Sequence, residues 1–114
     1  MIFETKIWVP QLPVRFDIAT QTYSPTFNLN KADSYGKISL MAPLGTPRGE
    51  IASNVPSAIS KVDPEDYILC IGDMAICATV IALILIRDGT ANLLRWNRIK
   101  SDYETEIVTT KGIE

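Results

Sequence analysis

The chain has 114 residues, of which 46% are hydrophobic and 21% are charged. This size suits a single domain with one core, and the composition is that of a globular chain, not a disordered one. Eleven basic and thirteen acidic residues give a formal charge of -2, which argues against nucleic-acid binding through phosphate contacts. The absence of histidine excludes Ser-His-Asp and Cys-His catalysis and histidine-ligated metals.

The two cysteines predict a reduced, intracellular protein. Cys70 and Cys77 lie in the most apolar stretch of the chain, where a thiol behaves as a small core side chain. Two cysteines are too few for a zinc site built from four thiolates, so we expect no metal and no cofactor. The N-terminal sequence MIFETKIWVP has neither the apolar core of a signal peptide nor a lipidation motif.

The N-terminal part is predicted to be an extended arm over residues 1–27, followed by an α/β body over residues 28–114, all within one domain, 1–114. Three prolines (Pro10, Pro13 and Pro25) interrupt its alternating runs, and proline demotes such runs to edge strands or extended chain. Asn28 to Tyr35 fits one short helical turn that stops at Gly36.

A strand and a helix are predicted at the start of the body. Lys37 to Ala42 has strand character and leads into a turn-rich loop, Pro43–Gly49. One apolar helical face follows, formed by Ile51, Val55, Ala58, Ile59 and Val62. Pro56 either lies in the first turn of this helix, with Ser53 or Asn54 as cap, or kinks it.

The next pair of elements is a buried strand, Tyr67 to Ile71, and a helix from Met74 to Arg87. Asp73 is predicted to cap the helix and Asp88-Gly89 to end it. The apolar part of this helix spans about 20 Å, whereas a bilayer core needs about 30 Å. The pattern therefore favours a buried helix of a soluble protein over a membrane span.

The C-terminal residues predict a hairpin between strands Asn92–Arg98 and Tyr103–Thr109, with a four-residue turn at Ile99–Asp102. In that register Trp96 lies opposite Thr105, and Arg95 lies opposite Glu106. The element order β-α-β-α-β-β then gives an α/β domain of two or three layers. Its sheet is mostly parallel, with an antiparallel C-terminal edge hairpin and the N-terminal arm.

Ligands of open α/β sheets bind beyond the carboxyl ends of the parallel strands. The residues that we expect there, as candidate ligand or partner contacts, are Thr46, Arg48, Gly49, Gly72, Asp73, Trp96 and Arg98. The plainer alternative is that the glycines and prolines only turn the chain and that Asp73 only caps its helix. No phosphate-binding glycine motif is present, and Asp73 would repel an anion from the helix terminus.

Catalysis is not indicated by the carboxylates, so no catalytic residue is assigned. Asp63, Glu65 and Asp66 form a loop cluster, for which solvation is the usual role. An enzyme would need Asp73 together with a lysine, arginine or tyrosine, and no spacing specifies such a pair. The basic-aromatic run Leu94 to Lys100 offers single-stranded nucleic acid little, since alternation places its arginines on opposite faces; protection of a sheet edge is favoured.

The helix Met74–Ile86 is apolar on every side, with Thr79 its only polar residue. Such a helix must be covered all round, either by the N-terminal arm or by a second subunit. We expect self-association, with an interface that includes Met74, Val80, Ile81, Ile84 and Leu85.

The segment from Tyr35 to the end resembles small uncharacterised α/β proteins encoded by tailed bacteriophages. The similar features are the run DYILCIGD from Asp66 to Asp73, an alanine- and isoleucine-rich helix, a DG turn and the LLRWNR hairpin ending in Tyr103. This resemblance implies a phage gene product that acts inside the host cell.

Together these observations predict a non-enzymatic phage accessory protein of the host cytoplasm. It associates with itself and binds a host protein, without membrane or nucleic acid. The alternatives are a small-molecule or nucleotide-binding module, with or without catalysis, at the carboxyl edge of the strands, or a minor structural protein of the virion.

Overall fold

A five-stranded sheet is the centre of the computed structural model, which describes residues 4–25 and 29–111. The strands in chain order are β1 (Lys6–Val9), β2 (Val14–Asp17), β3 (Thr22–Pro25), β4 (Lys37–Leu40), β5 (Tyr67–Leu69), β6 (Thr90–Asn97) and β7 (Asp102–Thr109). The helices are a 3-10 helix (Asn30–Tyr35), α1 (Arg48–Ile59) and α2 (Met74–Asp88). In space the sheet runs β4-β1-β5-β6-β7, parallel except for β7. The predicted mixed α/β class, with a mostly parallel sheet and an antiparallel C-terminal pair, is confirmed.

The first strand corrects the prediction that residues 1–27 form an arm or edge strands. β1 lies inside the sheet, parallel to β4 on one side and to β5 on the other. Ile7, Trp8 and Val9 are all buried. Pro10 follows the strand and therefore removes no hydrogen bond from the ladder.

An arm-like extension is confined to the hairpin of β2 and β3, which forms a separate two-stranded antiparallel sheet. The rings of Phe16 and Tyr23 pack against each other in this hairpin, 5.1 Å apart at their centroids. The predicted helical turn is the 3-10 helix, which ends before Gly36; its first predicted residue, Asn28, lies outside the described residues.

The two α-helices cover one face of the sheet, and the 3-10 helix covers part of the other. The crossovers through α1 and α2 run in one direction along the sheet, and the β1–β4 connection runs in the opposite direction. Right-handed crossovers place connections of opposite direction on opposite faces. Two apolar clusters result. The helix-side cluster includes Trp8, Val55, Ile68, Val80 and Leu93, and the opposite cluster includes Ile7, Val9, Leu69, Leu94 and Tyr103.

Helix α1 begins earlier than the sequence suggested. It starts at Arg48 and has Pro47 at its N-cap position, so neither Ser53 nor Asn54 is the cap. Pro56 lies inside the helix, three residues before its end, and not in the first turn. The predicted apolar face is correct, because Ile51, Val55 and Ile59 are the buried residues of α1.

Helix α2 follows its predicted boundaries closely. The Asp73 side chain accepts hydrogen bonds from the backbone N–H groups of Ala75 and Ile76. Gly89 ends the helix in a left-handed conformation, with a φ of 77° that favours glycine. Among the described residues, no helix is long and apolar enough to span a membrane.

The C-terminal hairpin forms, but its register differs from the predicted one by two residues. Trp96 faces Tyr103, and Arg95 faces Glu104. The turn still has four residues, 98–101, because it both begins and ends one residue earlier than expected.

The Asn97 side chain sets the position of this turn. Its Oδ1 accepts hydrogen bonds from the backbone N–H groups of Ile99 and Lys100, at 3.0 and 3.1 Å. The predicted pair of Arg95 and Glu106 survives as a diagonal contact, with Nε and Oε2 separated by 2.9 Å. Glu104 shares the same guanidinium.

Candidate functional site

A cavity of about 640 Å³ lies at the carboxyl ends of β1, β4 and β5. From β1 the chain turns into the β2–β3 hairpin, whereas from β5 it turns to α2 on the helix face. Such a divergence of neighbouring strands is where open α/β sheets form a crevice. The lining residues are Pro10, Gln11, Leu12, Pro13, Val14, Tyr23, Ala42, Pro43, Leu44, Gly45, Thr46, Ile51, Gly72 and Asp73.

The floor of the cavity is the corner Gly72-Asp73. Gly72 has a φ of 88°, and a Cβ atom there would lie 2.4 Å from the backbone oxygen of Gln11. Only glycine fits this close approach of two chain segments. The Asp73 backbone N–H donates to the side-chain oxygen of Gln11 at 2.6 Å. The corner is thereby tied to the segment that leaves β1.

An ion pair between Arg48 and Asp73 joins the first residue of α1 to the N-cap of α2 at the cavity rim. The hydrogen bond from Arg48, together with the bond from the Ile76 N–H, holds the pKa of the Asp73 carboxyl below its usual value. The same hydrogen bond raises the pKa of the Arg48 guanidinium. Both charges are therefore retained at neutral pH, and each neutralises the other.

The loop after β4 forms another wall. The Thr46 hydroxyl donates to the carbonyl oxygen of Pro43 at 2.6 Å, which closes a turn. Gly45, with a φ of 81°, lies under the ring of Tyr23, and a Cβ atom would come within 2.7 Å of that ring. The β2–β3 hairpin thus packs onto this loop, with the Tyr23 ring against the backbone of Gly45.

The structure brings together only part of the predicted ligand or partner set. Thr46, Gly72 and Asp73 line the cavity, and Arg48 lies at its rim through the ion pair. Gly49 is exposed in the first turn of α1, where a Cβ atom would meet no described atom within 4 Å.

Trp96 and Arg98 belong to a different part of the molecule, at the C-terminal hairpin. Trp96 packs edge-on against Tyr103, with ring centroids 5.1 Å apart, and the Lys31 ammonium lies 5.8 Å from the Trp96 centroid. Neither Trp96 nor Arg98 lines the cavity.

Sequence reasoning missed the contribution of the N-terminal residues to this cavity. Pro10 to Val14 and Tyr23 supply much of its wall. The closely spaced prolines of this segment favour an arm when the sequence is considered alone. The available signal was the apolar run Ile7–Val9, because a continuous apolar run is typical of a parallel strand that is buried on both faces.

The predicted interface residues of α2 fall into two groups. Val80 and Ile84 are buried within this chain, against the sheet. Ile81 and Leu85 are half-buried, and Met74 is 84% exposed. Only Met74, Ile81 and Leu85 of this set therefore remain at a surface that another molecule can contact.

Neither cysteine is activated as a nucleophile. The Cys77 thiol is buried and donates to the carbonyl oxygen of Ile71 at 3.1 Å. Burial raises its pKa to about 11, and burial also raises the pKa of the half-buried Cys70 thiol. Both groups are thus protonated at neutral pH. Within residues 4–25 and 29–111, no group of three or more potential metal-ligating side chains is present.

Comparison with known proteins identifies the family. No curated protein and no solved structure shows significant similarity to the chain. Residues 5–109 match the sequence model of the family described as Phage Pam3 gp32-like protein, a match that includes β1 and extends through β7. The chain therefore belongs to the Phage Pam3 gp32-like protein family.

Proposed function

We propose that this phage-encoded protein is a non-enzymatic accessory protein that associates with itself and binds a protein partner in the host cytoplasm. The observation that carries the proposal is an open apolar flank on α2, defined as Met74, Ala78, Ile81 and Leu85. This flank lies on a helix whose buried residues Ile76, Val80 and Ile84 belong to the core.

The flank is located by the position of α1. Ala75 and Thr79 of α2 line a small cleft together with Arg48 and Ala52 of α1. Near the other end of α2, the guanidinium of Arg87 donates to the carbonyl oxygen of Ile59 at 2.9 Å. Helical spacing at about 100° per residue then places the flank on the side of α2 away from α1, toward β6 and β7.

Exposure of this flank is costly for a protein that remains alone. Covering one large aliphatic side chain contributes about 1.5–3 kcal/mol, and Met74 is almost fully exposed. Contiguous apolar surface beside polar residues marks interaction sites in soluble proteins. A second copy of the chain fits this requirement, since it would be present wherever the protein is made.

The cavity is the candidate site for the protein partner. Its prolines, leucines and the Tyr23 ring offer apolar contact, and the one charge among its described lining residues, Asp73, is neutralised by Arg48. The first amides of α2 already donate to Asp73, so this helix terminus has little to offer a phosphate. These features favour an uncharged segment of a protein as the occupant.

The proposal of a non-enzymatic role rests on the pairing of the reactive groups. Asp73 is engaged with Arg48, and Asp88 with Arg87. The cysteine thiols have raised pKa values. None of these groups has the pKa near neutrality that a general base requires.

A small-molecule binding module is the second candidate function. The volume of the cavity falls within the range of about 300–1,000 Å³ that is usual for ligand pockets, and its position is the usual one for open α/β sheets. A molecule of drug-like size that stays bound through purification would favour this candidate.

Affinity capture from host cells with two matched variants tests the proposal. Leu44 lines the cavity and Leu40 does not, yet the two side chains are exposed to nearly the same extent, 38% and 37%. We expect Leu44→Glu to reduce capture of the dominant host protein at least tenfold and Leu40→Glu to leave it unchanged.

Two outcomes would contradict the proposal. One is equal capture by both variants and by the wild-type protein. The other is the presence of the protein in purified virions at stoichiometric amounts, which would make it a structural component. Native mass spectrometry of the same preparations detects a retained small molecule and so separates the second candidate.

A further inference from the structure

Strand β7 is an open edge of the sheet. It has eight residues, contains neither proline nor glycine, and pairs with β6 alone among the described strands. The opposite edge, β4, has only four residues. Long edge strands without a partner are templates for pairing with another chain.

The outward-facing residues of β7 follow from two hydrogen bonds. The Cys70 N–H donates to the carbonyl oxygen of Leu94 at 3.1 Å, so Leu94 directs its backbone groups toward β5. Thr105, which lies opposite Leu94, must therefore direct its own backbone groups away from β6. The bond from the Thr110 N–H to the carbonyl oxygen of Gly89 agrees with this phase. The backbone N–H and C=O groups of Thr105, Ile107 and Thr109 thus point away from β6.

The free part of this edge has a definite end. The backbone groups of Tyr103 also point away from β6, but its N–H donates to the Asp102 carboxylate at 2.8 Å. Its carbonyl oxygen accepts a hydrogen bond from the Tyr35 hydroxyl at 3.0 Å. The open edge therefore runs from Thr105 to Thr109, and Ile107 is its midpoint.

The side chains at this edge are suited to a strand partner. The side chains of Thr105, Ile107 and Thr109 share one face of the strand and are exposed, Ile107 by 70%. The acidic residues of β7, Asp102, Glu104 and Glu106, lie on the other face, where Arg95 forms ion pairs with Glu104 and Glu106. The face with the threonines and the isoleucine lacks the lysine or proline that commonly protects an edge.

From this geometry we infer that β7 pairs antiparallel with β7 of a second copy, about a two-fold axis at Ile107. Ile107 then lies opposite Ile107 of the second copy, and Thr105 lies opposite Thr109. All outward N–H and C=O groups of the free edge become paired, and Ile–Ile and Thr–Thr contacts are favourable across strands. The inference rests on the proposed self-association and names its surface.

Charge disfavours the registers shifted toward the start of β7, whereas an axis at Val108 would leave Thr105 opposite Lys111, beyond the end of the strand. With the axis at Ile107, Glu106 lies opposite Val108 of the second copy, and Glu104 lies opposite Thr110. An axis at Glu106 would set the two Glu106 side chains against each other. An axis at Thr105 would set Glu104 against Glu106. Like charges directly opposite destabilise a strand pair.

The open flank of α2 is consistent with this pairing of β7 with β7 of the second copy, which is called the seam from here on. A two-fold axis perpendicular to the sheet keeps both α2 helices on the same side of the joined sheets. Val108, which packs against the helix-side cluster together with Ile81 and Leu85, lies next to the axis. The flanks of the two copies thus face each other across the seam.

Disulfide cross-linking of single cysteine variants tests the register. Ile107→Cys brings two thiols opposite each other, and we expect mild oxidation of the folded protein to yield a covalent dimer. Thr105→Cys and Thr109→Cys are matched controls, because each new thiol would lie about 13 Å from its own copy, beyond the reach of a disulfide. A mixture of these two variants should cross-link, since Thr105 lies opposite Thr109.

The outcomes separate the seam from self-association. An oligomeric protein in which Ile107→Cys fails to cross-link, or in which all three variants cross-link equally, would overturn the seam and leave self-association standing. A protein that is monomeric at every concentration would overturn both. The wild-type chain supplies the background, since Cys77 is buried and Cys70 is half-buried.

Ile107→Pro is a second, independent variant. Proline removes the outward N–H at this position but no hydrogen bond to β6. We expect a monomer with an unchanged circular dichroism spectrum. A dimer that persists in this variant would contradict the pairing through β7.

Discussion

Asp66 is a buried carboxylate whose hydrogen-bonding capacity is used by nearby donors. It is 3% exposed and accepts hydrogen bonds from the Lys6 N–H, the Trp8 indole and the Asp63 N–H, at 2.9–3.0 Å. The prediction that Asp66 is a solvated loop residue is therefore wrong. This side chain fastens β1 to the loop before β5, and its partner Trp8 lies in a segment for which the sequence alone predicts an edge strand or an extended arm.

Replacement of Asp66 tests this role. Asp66→Ala leaves the buried Trp8 indole N–H and two partly buried backbone N–H groups without an acceptor, so we expect the free energy of unfolding in urea to fall by at least about 2 kcal/mol. Asp66→Asn should also destabilise, because its amide presents a donor to other donors. Glu65→Ala, which removes the same charge one residue away at an exposed site, should stay within about 0.5 kcal/mol of the wild type. Equal effects of Asp66→Ala and Glu65→Ala would contradict a structural role for Asp66.

At the corner of the cavity, Asp73 serves as a helix cap and as the partner of Arg48. We expect Asp73→Asn and Asp73→Ser to melt close to the wild type, because both side chains still accept hydrogen bonds from the first amides of α2. Asp73→Ala should melt at a clearly lower temperature. Partner capture should survive in Asp73→Asn, since Arg48 already neutralises the carboxylate. Unchanged melting with lost capture would instead make this charge part of the binding surface.

At the scale of the elements, α2 carries two kinds of apolar side chain, and matched substitutions separate them. Ile84 is buried against the sheet, whereas Ile86 is 81% exposed. Ile84→Ala should cost about 2–5 kcal/mol, because it leaves a cavity in the core. Ile86→Ala should change the free energy of unfolding by no more than about 0.5 kcal/mol. Similar losses in urea titrations of the two variants would show that α2 is oriented differently.

The sequence predicted elements well where local signals agreed with tertiary structure. The bounds of Met74–Asp88 are predictable because Asp73 and Gly89 satisfy the two helix ends through their own conformational preferences. The start of α1 was missed, since Pro47 offers no side-chain cap to recognise. The hairpin register was missed because it depends on the Asn97 side chain, whose two turn contacts decide where the strand ends.

The candidate site was predicted only where it consists of residues that follow parallel strands. Thr46, Gly72 and Asp73 were placed correctly at the carboxyl edge. Trp96 and Arg98 also belong to the end of a parallel strand, yet β6 extends into a hairpin that carries them away from the cavity. The contribution of Gln11 and Tyr23 depends on β1 being an inner strand, which is a long-range pairing that local patterns do not reveal.

For the whole molecule, the absence of histidine predicts a simple pH dependence. Side-chain hydrogen bonds from Arg48, Arg87 and Asn97 lower the pKa values of Asp73, Asp88 and Glu104 respectively. A carboxyl whose pKa is lower in the folded state stabilises the fold above its unfolded value, and this stabilisation is lost as the pH falls through the folded value.

We therefore expect the melting temperature to be level between about pH 5 and pH 8 and to fall below about pH 4. Asp88→Asn removes one of the linked carboxyls, so the decline in acid should be shallower in this variant than in the wild type. Thermal melts across this range measure both effects. A stability transition near neutral pH would contradict the account, since the lowered pKa values of these carboxyls act in acid and the raised pKa values of the cysteine thiols act in alkali.

Self-association is the central claim at the scale of the whole molecule, and sedimentation velocity of the wild-type chain tests it most directly. The open β7 edge and the α2 flank predict a species of twice the 12.6 kDa chain mass at micromolar concentration. Dilution should shift the equilibrium toward monomer, and Ile107→Pro should sediment as a monomer throughout. A wild-type protein that sediments as a single 12.6 kDa species at every concentration would contradict the account.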